Sequence, residues 1–216
     1  MSVPAPDFQH WDYEHHPRRS MVLRAESARL LLDLIEQRLD AKKLIADTRD
    51  AHRRLFSKLT PPNQPNLAGH YRGEDFPYLK NRSVSIPGNP IVGCPPHQIK
   101  SELFKFNELA QSAITRIDLL TAAPTPLISE GEKFMGIIQC TANLSAHFLA
   151  IHPYANGNGH VGRLIMVALL GRYGHWPAKL DIEPRPSGSI YNVAIQQYQN
   201  GNPVHLEQFL MSSIKG

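Results

Sequence analysis

The sequence feature that most constrains the fold is residues 164–170, a short segment in which every residue is apolar. A helix that is apolar on all sides is not stable at a surface, so other elements must enclose it. The segment lies shortly after a glycine-rich turn at residues 157–159. We therefore expect a central buried helix that is entered through this turn and surrounded by the rest of the chain.

Much of the remaining chain carries apolar residues at helical spacing. The patterned stretches are residues 20–39, 44–59, 97–120, 132–151, 187–199 and 204–211. The alternation Val84-Ser85-Ile86, then a Pro- and Gly-rich turn and Ile91-Val92, is typical of an exposed hairpin. The sequence predicts an all-α fold with one small β-hairpin, preceded by an irregular arm over residues 1–19.

Composition argues against several classes of protein. The 216 residues can bury a substantial core, and the formal charge of +4 comes without the clustered Lys, Arg and aromatic residues of a nucleic-acid binder. Cys94 and Cys140 fit neither a disulfide framework nor a zinc site. No signal peptide and no membrane-spanning run is visible. We expect a cytoplasmic protein, while export as an effector without a cleaved signal stays open.

The segment that ends at Arg163 combines groups that suit phosphorus chemistry. His152 precedes a proline, which disfavours helix at that position, and its imidazole can accept a proton near neutral pH. Gly157-Asn158-Gly159 can present backbone N–H groups to an anion where the next helix starts. Arg163, one turn beyond His160, can hold a phosphate through its guanidinium fork. Taken singly, these features are more often a helix-capping histidine and an ordinary turn.

Together these residues resemble the signature of the Fic (Fic/Doc) family, His-Pro-Phe-x-(Asp/Glu)-Gly-Asn-Gly-Arg-x-x-Arg. Tyr154 replaces the phenylalanine, and the matching positions are His152, Pro153, Gly157, Asn158, Gly159 and Arg163. Other stretches similar to family elements are residues 51–56, 68–72, 84–86, 147–151 and 206–210, with Tyr191. The resemblance divides the chain into an N-terminal arm and helix, residues 1–43, with an expected regulatory role, and a Fic domain, residues 44–216.

The resemblance implies a helical core in which the motif loop joins two central helices, with a hairpin flap that holds a target peptide as an added strand. It implies transfer of a nucleoside monophosphate, most often AMP from ATP with Mg²⁺ or Mn²⁺, to a hydroxyl of a target protein. In this assignment His152 is the catalytic base. The implied nucleotide- and phosphate-binding residues are Gly157, Asn158, Gly159, His160 and Arg163, and the implied target-docking residues are Val84, Ser85 and Ile86.

Two positions depart from the family pattern. Asn156 stands where the family has the acidic residue that binds Mg²⁺, and a neutral amide oxygen is a weaker ligand for a hard cation. His160 replaces the first arginine, so less positive charge is expected beside the phosphates. Three interpretations stay open: a slow or conditional AMP transferase, a transferase with another donor, and a pseudoenzyme that binds nucleotide or protein.

Regulation and other chemistry are less well indicated. Many relatives carry an inhibitory helix with a glutamate, and Glu26 is a weak candidate, since a solvated glutamate is the simpler interpretation. The resemblance also allows an antitoxin-like regulator, a homodimer and a bacterial source. A metallohydrolase built on His147 and His152 is disfavoured, because their spacing is one residue longer than i, i+4 and no nearby carboxylate completes a site.

Overall fold

The computed structural model describes residues 11, 13–86, 89–186 and 188–214, and most of these lie in eight α-helices. The helices are α1 (Arg19–Ile35), α2 (Ala41–Ala46), α3 (Arg49–Phe56), α4 (Ile99–Ala122), α5 (Glu130–Ile151), α6 (Asn158–Arg172), α7 (Gly188–Gln199) and α8 (Val204–Ile214). Two short strands, β1 (Val84–Ile86) and β2 (Asn89–Val92), pair antiparallel with Val84 opposite Val92. The expected all-α architecture is confirmed. The second strand begins at Asn89, within the stretch predicted as a turn, and residues 87–88 lie outside the described residues.

Helix α6 is the central helix predicted from its apolar sequence. Every residue of α6 from Val161 to Leu170 is buried, and the helix packs against α5, α1 and α2. Gly162 lets α5 approach closely, since a Cβ there would lie 2.9 Å from a terminal carbon of Leu149. The burial predicted for residues 164–170 is therefore present, and it begins about one turn earlier, at Val161.

Helix α5 is the second central element and packs against α4, α6 and α8. Its 22 residues are long and apolar enough to span a membrane by length and composition alone, which the sequence analysis did not anticipate. Half of its most apolar window is buried inside the protein, as expected for the core helix of a folded domain. A capping box defines its start: the Ser129 hydroxyl accepts from the N–H of Glu132, whose carboxylate accepts from the N–H of Ser129.

The stretch at residues 44–59, predicted as one helix, is broken in the structure into part of α2 and all of α3. The break lies at Asp47, which has an extended backbone. The carboxylate of Asp47 accepts from the backbone N–H of Arg49 at 3.0 Å and from its guanidinium. A short acidic side chain can satisfy a neighbouring N–H outside a helix, and this competition favours a helix start over a continuous helix.

Of the arm predicted over residues 1–19, the structure describes residue 11 and residues 13–19, which include one 3₁₀ turn at Tyr13–His15 and pack onto the domain. Trp11 and Tyr13 are 3% and 4% exposed, and the indole N–H donates to the carbonyl of Leu59 at 3.0 Å. The Tyr13 ring lies 4.9 Å from the ring of Phe56, and both rings belong to the same hydrophobic core as α3 and α6. The part of residues 1–43 that the structure describes is thus continuous with the core of the domain.

Candidate functional site

His152 ends α5 at the rim of the motif loop. Its backbone is left-handed, with φ 53° and ψ 58°, while its N–H still bonds to the carbonyl of Phe148. The following Pro153 explains why the helix stops there, because proline disfavours α-helical backbone at the preceding residue. A left-handed conformation is uncommon for a side chain other than glycine and asparagine. The surrounding contacts must therefore hold His152 in this conformation.

The imidazole of His152 is partly buried, and its environment keeps the ring neutral. Burial lowers the pKa of His152 to about 4, with a smaller contribution in the same direction from the charge of Arg72. Nδ1 lies 3.4 Å from the carbonyl oxygen of Leu149. Because a carbonyl only accepts, Nδ1 is the nitrogen that carries the proton, and Nε2 keeps its lone pair. The ring is therefore neutral near pH 7 with its basic nitrogen unprotonated.

The loop between α5 and α6 is fixed by Asn158. Its side-chain oxygen accepts from the N–H of Tyr154 at 2.9 Å, and its side-chain nitrogen donates to the carbonyl of Tyr154 at 2.9 Å. Gly157 precedes α6 with φ 82°, a conformation that suits glycine. A side chain at Gly157 would also overlap with the ring of Phe56. The Asn158 amide thus shapes the loop, and the first backbone N–H groups of α6 remain the groups to consider for an anion.

His52 joins this loop to α3. Its Nδ1 accepts from the N–H of Gly69 at 2.9 Å, so Nε2 carries the proton and donates to the carbonyl of Asn156 at 3.0 Å. The ring is fully buried and stacks on Tyr154 with centroids 3.7 Å apart. Burial lowers the pKa of His52 to about 3. Sequence analysis identified His52 only as part of a helix similar to the family, without this role.

The side chain of Asn156 is occupied by contacts within the protein. Its oxygen accepts from the N–H of Gly157 at 2.9 Å, and its nitrogen donates to the carbonyl of Trp11 at 3.2 Å. The described residues contain no group of three or more His, Cys, Asp or Glu that could hold a metal ion. Asn156 itself carries no charge and its amide is engaged, so in this conformation it does not fit the role of a ligand to a resident metal.

His160 lies under the N-terminal segment. Its Nε2 is 2.8 Å from a carboxylate oxygen of Glu183, and its Nδ1 is 3.4 Å from the hydroxyl of Tyr13. Burial lowers the pKa of His160 and outweighs the opposing effect of Glu183. A neutral ring satisfies both contacts, with Nε2–H donating to the carboxylate and Nδ1 accepting from the tyrosine. The family's arginine position thus carries an uncharged side chain that bonds inside the protein.

Arg163 is 1% exposed and points toward the segment before α7. Its Nε and Nη2 donate to the carbonyl of Ile182 at 3.1 and 2.8 Å, and its guanidinium lies 5.9 Å from the ring of Tyr191. Burial lowers its pKa. The structure brings Arg163 and His160 to the same side of the loop, as their spacing predicts, with both side chains engaged by residues 182–183.

Sequence analysis missed Glu183, an acidic residue that contacts the motif at His160. It pairs with His160 and, at 2.8 Å, with Arg19 from the first turn of α1. Burial raises the pKa of Glu183, but the hydrogen bonds from His160 and Arg19 and the charge of Arg19 hold it below the usual range. Glu183 lies in a proline-containing stretch that carries no motif, so the sequence did not indicate a role for it. Glu26, the candidate inhibitory residue, instead pairs with Arg29 at 2.7 Å and Lys58 at 2.8 Å.

The strand pair leads directly to His152. Gly93 follows β2 with φ 78°, and a side chain there would overlap with the Cβ of His152. The N–H of Cys94 donates to the carbonyl of Ile151 at 3.2 Å. The end of β2 is therefore bonded to the last turn of α5. The docking residues predicted from sequence, Val84, Ser85 and Ile86, form β1, which pairs with β2.

Comparison with known proteins agrees with this architecture. The sequence profile of the Fic/DOC family matches residues 43–170. A search of curated proteins finds no match. Among solved structures, the chain is similar to the crystal structure of a Fic-domain-containing signaling protein from Bacteroides thetaiotaomicron, with a TM-score of 0.58 and 14% identity. That match covers 91% of this chain and 68% of the other. Because the profile covers more than half of the sequence, the chain belongs to the Fic/DOC family.

Proposed function

We propose that the protein is a conditional transferase that moves a nucleoside monophosphate, AMP from ATP in the simplest case, to a hydroxyl of a target protein. The observation that carries the proposal is the tautomer of His152, whose unprotonated Nε2 can take the hydroxyl proton. The hydroxyl oxygen then forms a bond to the α-phosphorus. The bond from that phosphorus to the bridging oxygen breaks, and pyrophosphate leaves.

The hairpin β1–β2 is the proposed flap for the target. A peptide that pairs with its edge at Val84, Ser85 and Ile86 would be held by backbone hydrogen bonds, with little demand on its sequence. The contacts of Gly93 and Cys94 with residues 151–152 support this role, because they join the hairpin to the base. The N–H groups at Asn158 and Gly159 are the proposed phosphate contacts, and the N–H of Gly157 would join them only after leaving the side-chain oxygen of Asn156.

The transferase is proposed to be conditional because its candidate phosphate side chains are engaged elsewhere. Arg163 is bonded to Ile182 and His160 to Glu183, so both must exchange partners before they can contact a nucleotide. The Mg²⁺ or Mn²⁺ expected with ATP would gain little from Asn156, so the nucleotide's own phosphates would have to supply most of its ligands.

A second candidate is a Fic-fold pseudoenzyme that binds nucleotide or protein without turnover. The guanidinium of Arg163 is buried and bonded to the carbonyl of Ile182. This arrangement favours the pseudoenzyme, because an arginine with a structural role keeps these bonds and does not turn to a nucleotide. The two candidates differ in a single observable, the appearance of a covalent adduct that depends on His152.

The test is intact-mass spectrometry of the purified protein after incubation with each nucleoside triphosphate and Mg²⁺ or Mn²⁺. We expect self-labelling by one nucleoside monophosphate, and its loss in the His152→Ala variant with nucleotide affinity retained. Labelling that survives in His152→Ala would refute the assigned base. Nucleotide binding without any adduct, also in the Asn156→Asp, His160→Arg double variant, would favour the pseudoenzyme.

A further inference from the structure

Arg72 lies at a junction of three segments next to the candidate base. It is 1% exposed and is one of the largest fully buried side chains. Its guanidinium donates to four backbone carbonyls: His152 at 2.7 and 2.9 Å, Arg82 at 3.0 Å, Cys94 at 3.1 Å and Ile151 at 3.3 Å. One side chain thus bonds to the chain before β1, the chain after β2 and the end of α5.

The charge of Arg72 has no acidic partner within the described part of the chain, and burial lowers its pKa. Burying an unpaired charge is unfavourable unless its donors are all satisfied. Here each of the three guanidinium nitrogens donates to at least one peptide carbonyl. The rigid, planar fork of arginine suits this arrangement because its donors diverge in fixed directions. A residue that served only to fill this space would not need a guanidinium.

The junction holds both ends of the hairpin against His152. Arg82 precedes β1 and Cys94 follows β2, so the two carbonyls mark the two legs of the hairpin. The backbone reinforces the junction, because the N–H of Arg72 donates to the carbonyl of Pro153 at 2.8 Å. The carbonyl of His152, whose backbone is left-handed, receives two of the guanidinium bonds. The guanidinium therefore joins both legs of the hairpin to the base, in addition to the backbone bond between Cys94 and Ile151.

We propose that Arg72 is a positioning residue that couples the hairpin to His152, so that a target held on the hairpin presents its hydroxyl to the imidazole. The catalytic consequence rests on the proposed transferase function, whereas the coupling itself does not. Loss of the fork should release the legs of the hairpin and expose the imidazole while the helical core stays folded.

The first test needs no activity and uses the Arg72→Lys variant, which keeps the charge but replaces the fork with a single ammonium group. Hydrogen exchange by mass spectrometry should accelerate in residues 82–94 and not in α6. The imidazole resonances of His152, followed by NMR, should titrate closer to the ordinary histidine range. Unchanged exchange and titration, or exchange that accelerates evenly along the chain, would overturn the proposal.

Two further variants keep the test decisive if Arg72→Lys does not fold. Gly93→Ala keeps the guanidinium but places a methyl group against His152, the carbonyl of Ile151 and Nη2 of Arg72, and it should loosen the same residues 82–94. Arg54→Lys is the matched control, since Arg54 bonds to Asp33 away from the hairpin. The control should leave exchange in residues 82–94 and the titration of His152 as in the wild type.

The second test applies to catalysis. If the wild type labels itself, Arg72→Lys should lower the rate of labelling at saturating nucleotide by about tenfold or more, because small misplacements of reacting groups have large effects on rate. Nucleotide affinity should stay unchanged. Equal loss of affinity and rate would contradict positioning. A wild type that never labels would refute the proposed function alone, because exchange and titration still decide the coupling.

Discussion

At the scale of single residues, the Fic motif is held by buried polar pairs. The hydroxyl of Tyr154 lies 2.6 Å from the hydroxyl of Thr48, and the two side chains are 0% and 2% exposed. The family pattern has phenylalanine at the position of Tyr154, so this hydrogen bond belongs to the variant motif. It connects the loop to the break between α2 and α3, which no sequence pattern indicates.

The Tyr154→Phe variant tests this pair. We expect the free energy of unfolding to fall by about 1–3 kcal/mol, because the hydroxyl of Thr48 loses one of its buried partners. Urea unfolding measures the change. Adding Thr48→Val should restore part of the loss, since removing both polar partners is less harmful than removing one. Fully additive losses in the double variant would contradict the pairing.

His52 should make stability depend on pH. Its pKa is about 3 in the folded protein and about 6.5 in an unfolded chain, so between these values the unfolded state binds the extra proton. The free energy of unfolding should therefore fall as the pH drops below about 6.5, and this contribution is complete above that pH. Urea unfolding at several pH values from 4.5 to 7.5 measures this dependence. The free energy of unfolding should change less with pH in His52→Gln than in the wild type. Equal slopes would show that His52 is not the responsible group.

At the scale of elements, sequence patterns located the helices better than their ends. The apolar stretches predicted α4, α5 and α6, because apolar residues at helical spacing mark the face of a helix that is buried. The break at Asp47 was missed, because it depends on the bond to the next residue's N–H. The early end of α1 at Ile35 was missed too. The chain turns there through Gln37, whose φ is 57°. Glycine is the residue that usually signals such a left-handed turn, and a glutamine gives no such signal.

The capping box of α5 predicts a measurable element-scale effect. Ser129→Ala should lower the free energy of unfolding by about 1 kcal/mol, because the N–H of Glu132 loses its acceptor and the reciprocal bond is weakened. Ser212→Ala is the control. Its exposed hydroxyl bonds only to the carbonyl of Phe209, and alanine favours helix, so no loss is expected. Thermal unfolding that shifts equally in both variants would contradict a capping role.

At the scale of the whole molecule, the N-terminal segment covers the motif. The carbonyl of Trp11 accepts from Asn156, Tyr13 contacts His160, and Arg19 pairs with Glu183. Residues far apart in sequence thus close the side of the loop where phosphate contacts are proposed. A nucleotide that engages His160 would compete with Tyr13 and Glu183, and one that engages Arg163 would compete with the carbonyl of Ile182.

Removing the Trp11 side chain should loosen this cover. In Trp11→Ala the free energy of unfolding should fall by about 3–5 kcal/mol, the usual cost of deleting a buried aromatic side chain, and exchange in residues 153–160 should accelerate. Trp176→Ala is the comparison, because Trp176 is 37% exposed and lies at the other end of α6. Its stability loss should be smaller and exchange in residues 153–160 unaltered. Faster loop exchange in both variants would contradict a local cover.

The sequence by itself determined the helical class, the central helix, the motif and the family, because these depend on local periodicity and on residues close together in the chain. It also placed a histidine before a proline, where a helix must stop. Only the tertiary structure decided what the polar groups do. Glu183 and Tyr13 reach His160 from distant segments, Arg19 pairs with Glu183, and the carbonyl of Ile182 accepts from Arg163. Such partners depend on how the helices pack, and burial then sets the pKa values of the histidines, which no pattern along the chain encodes.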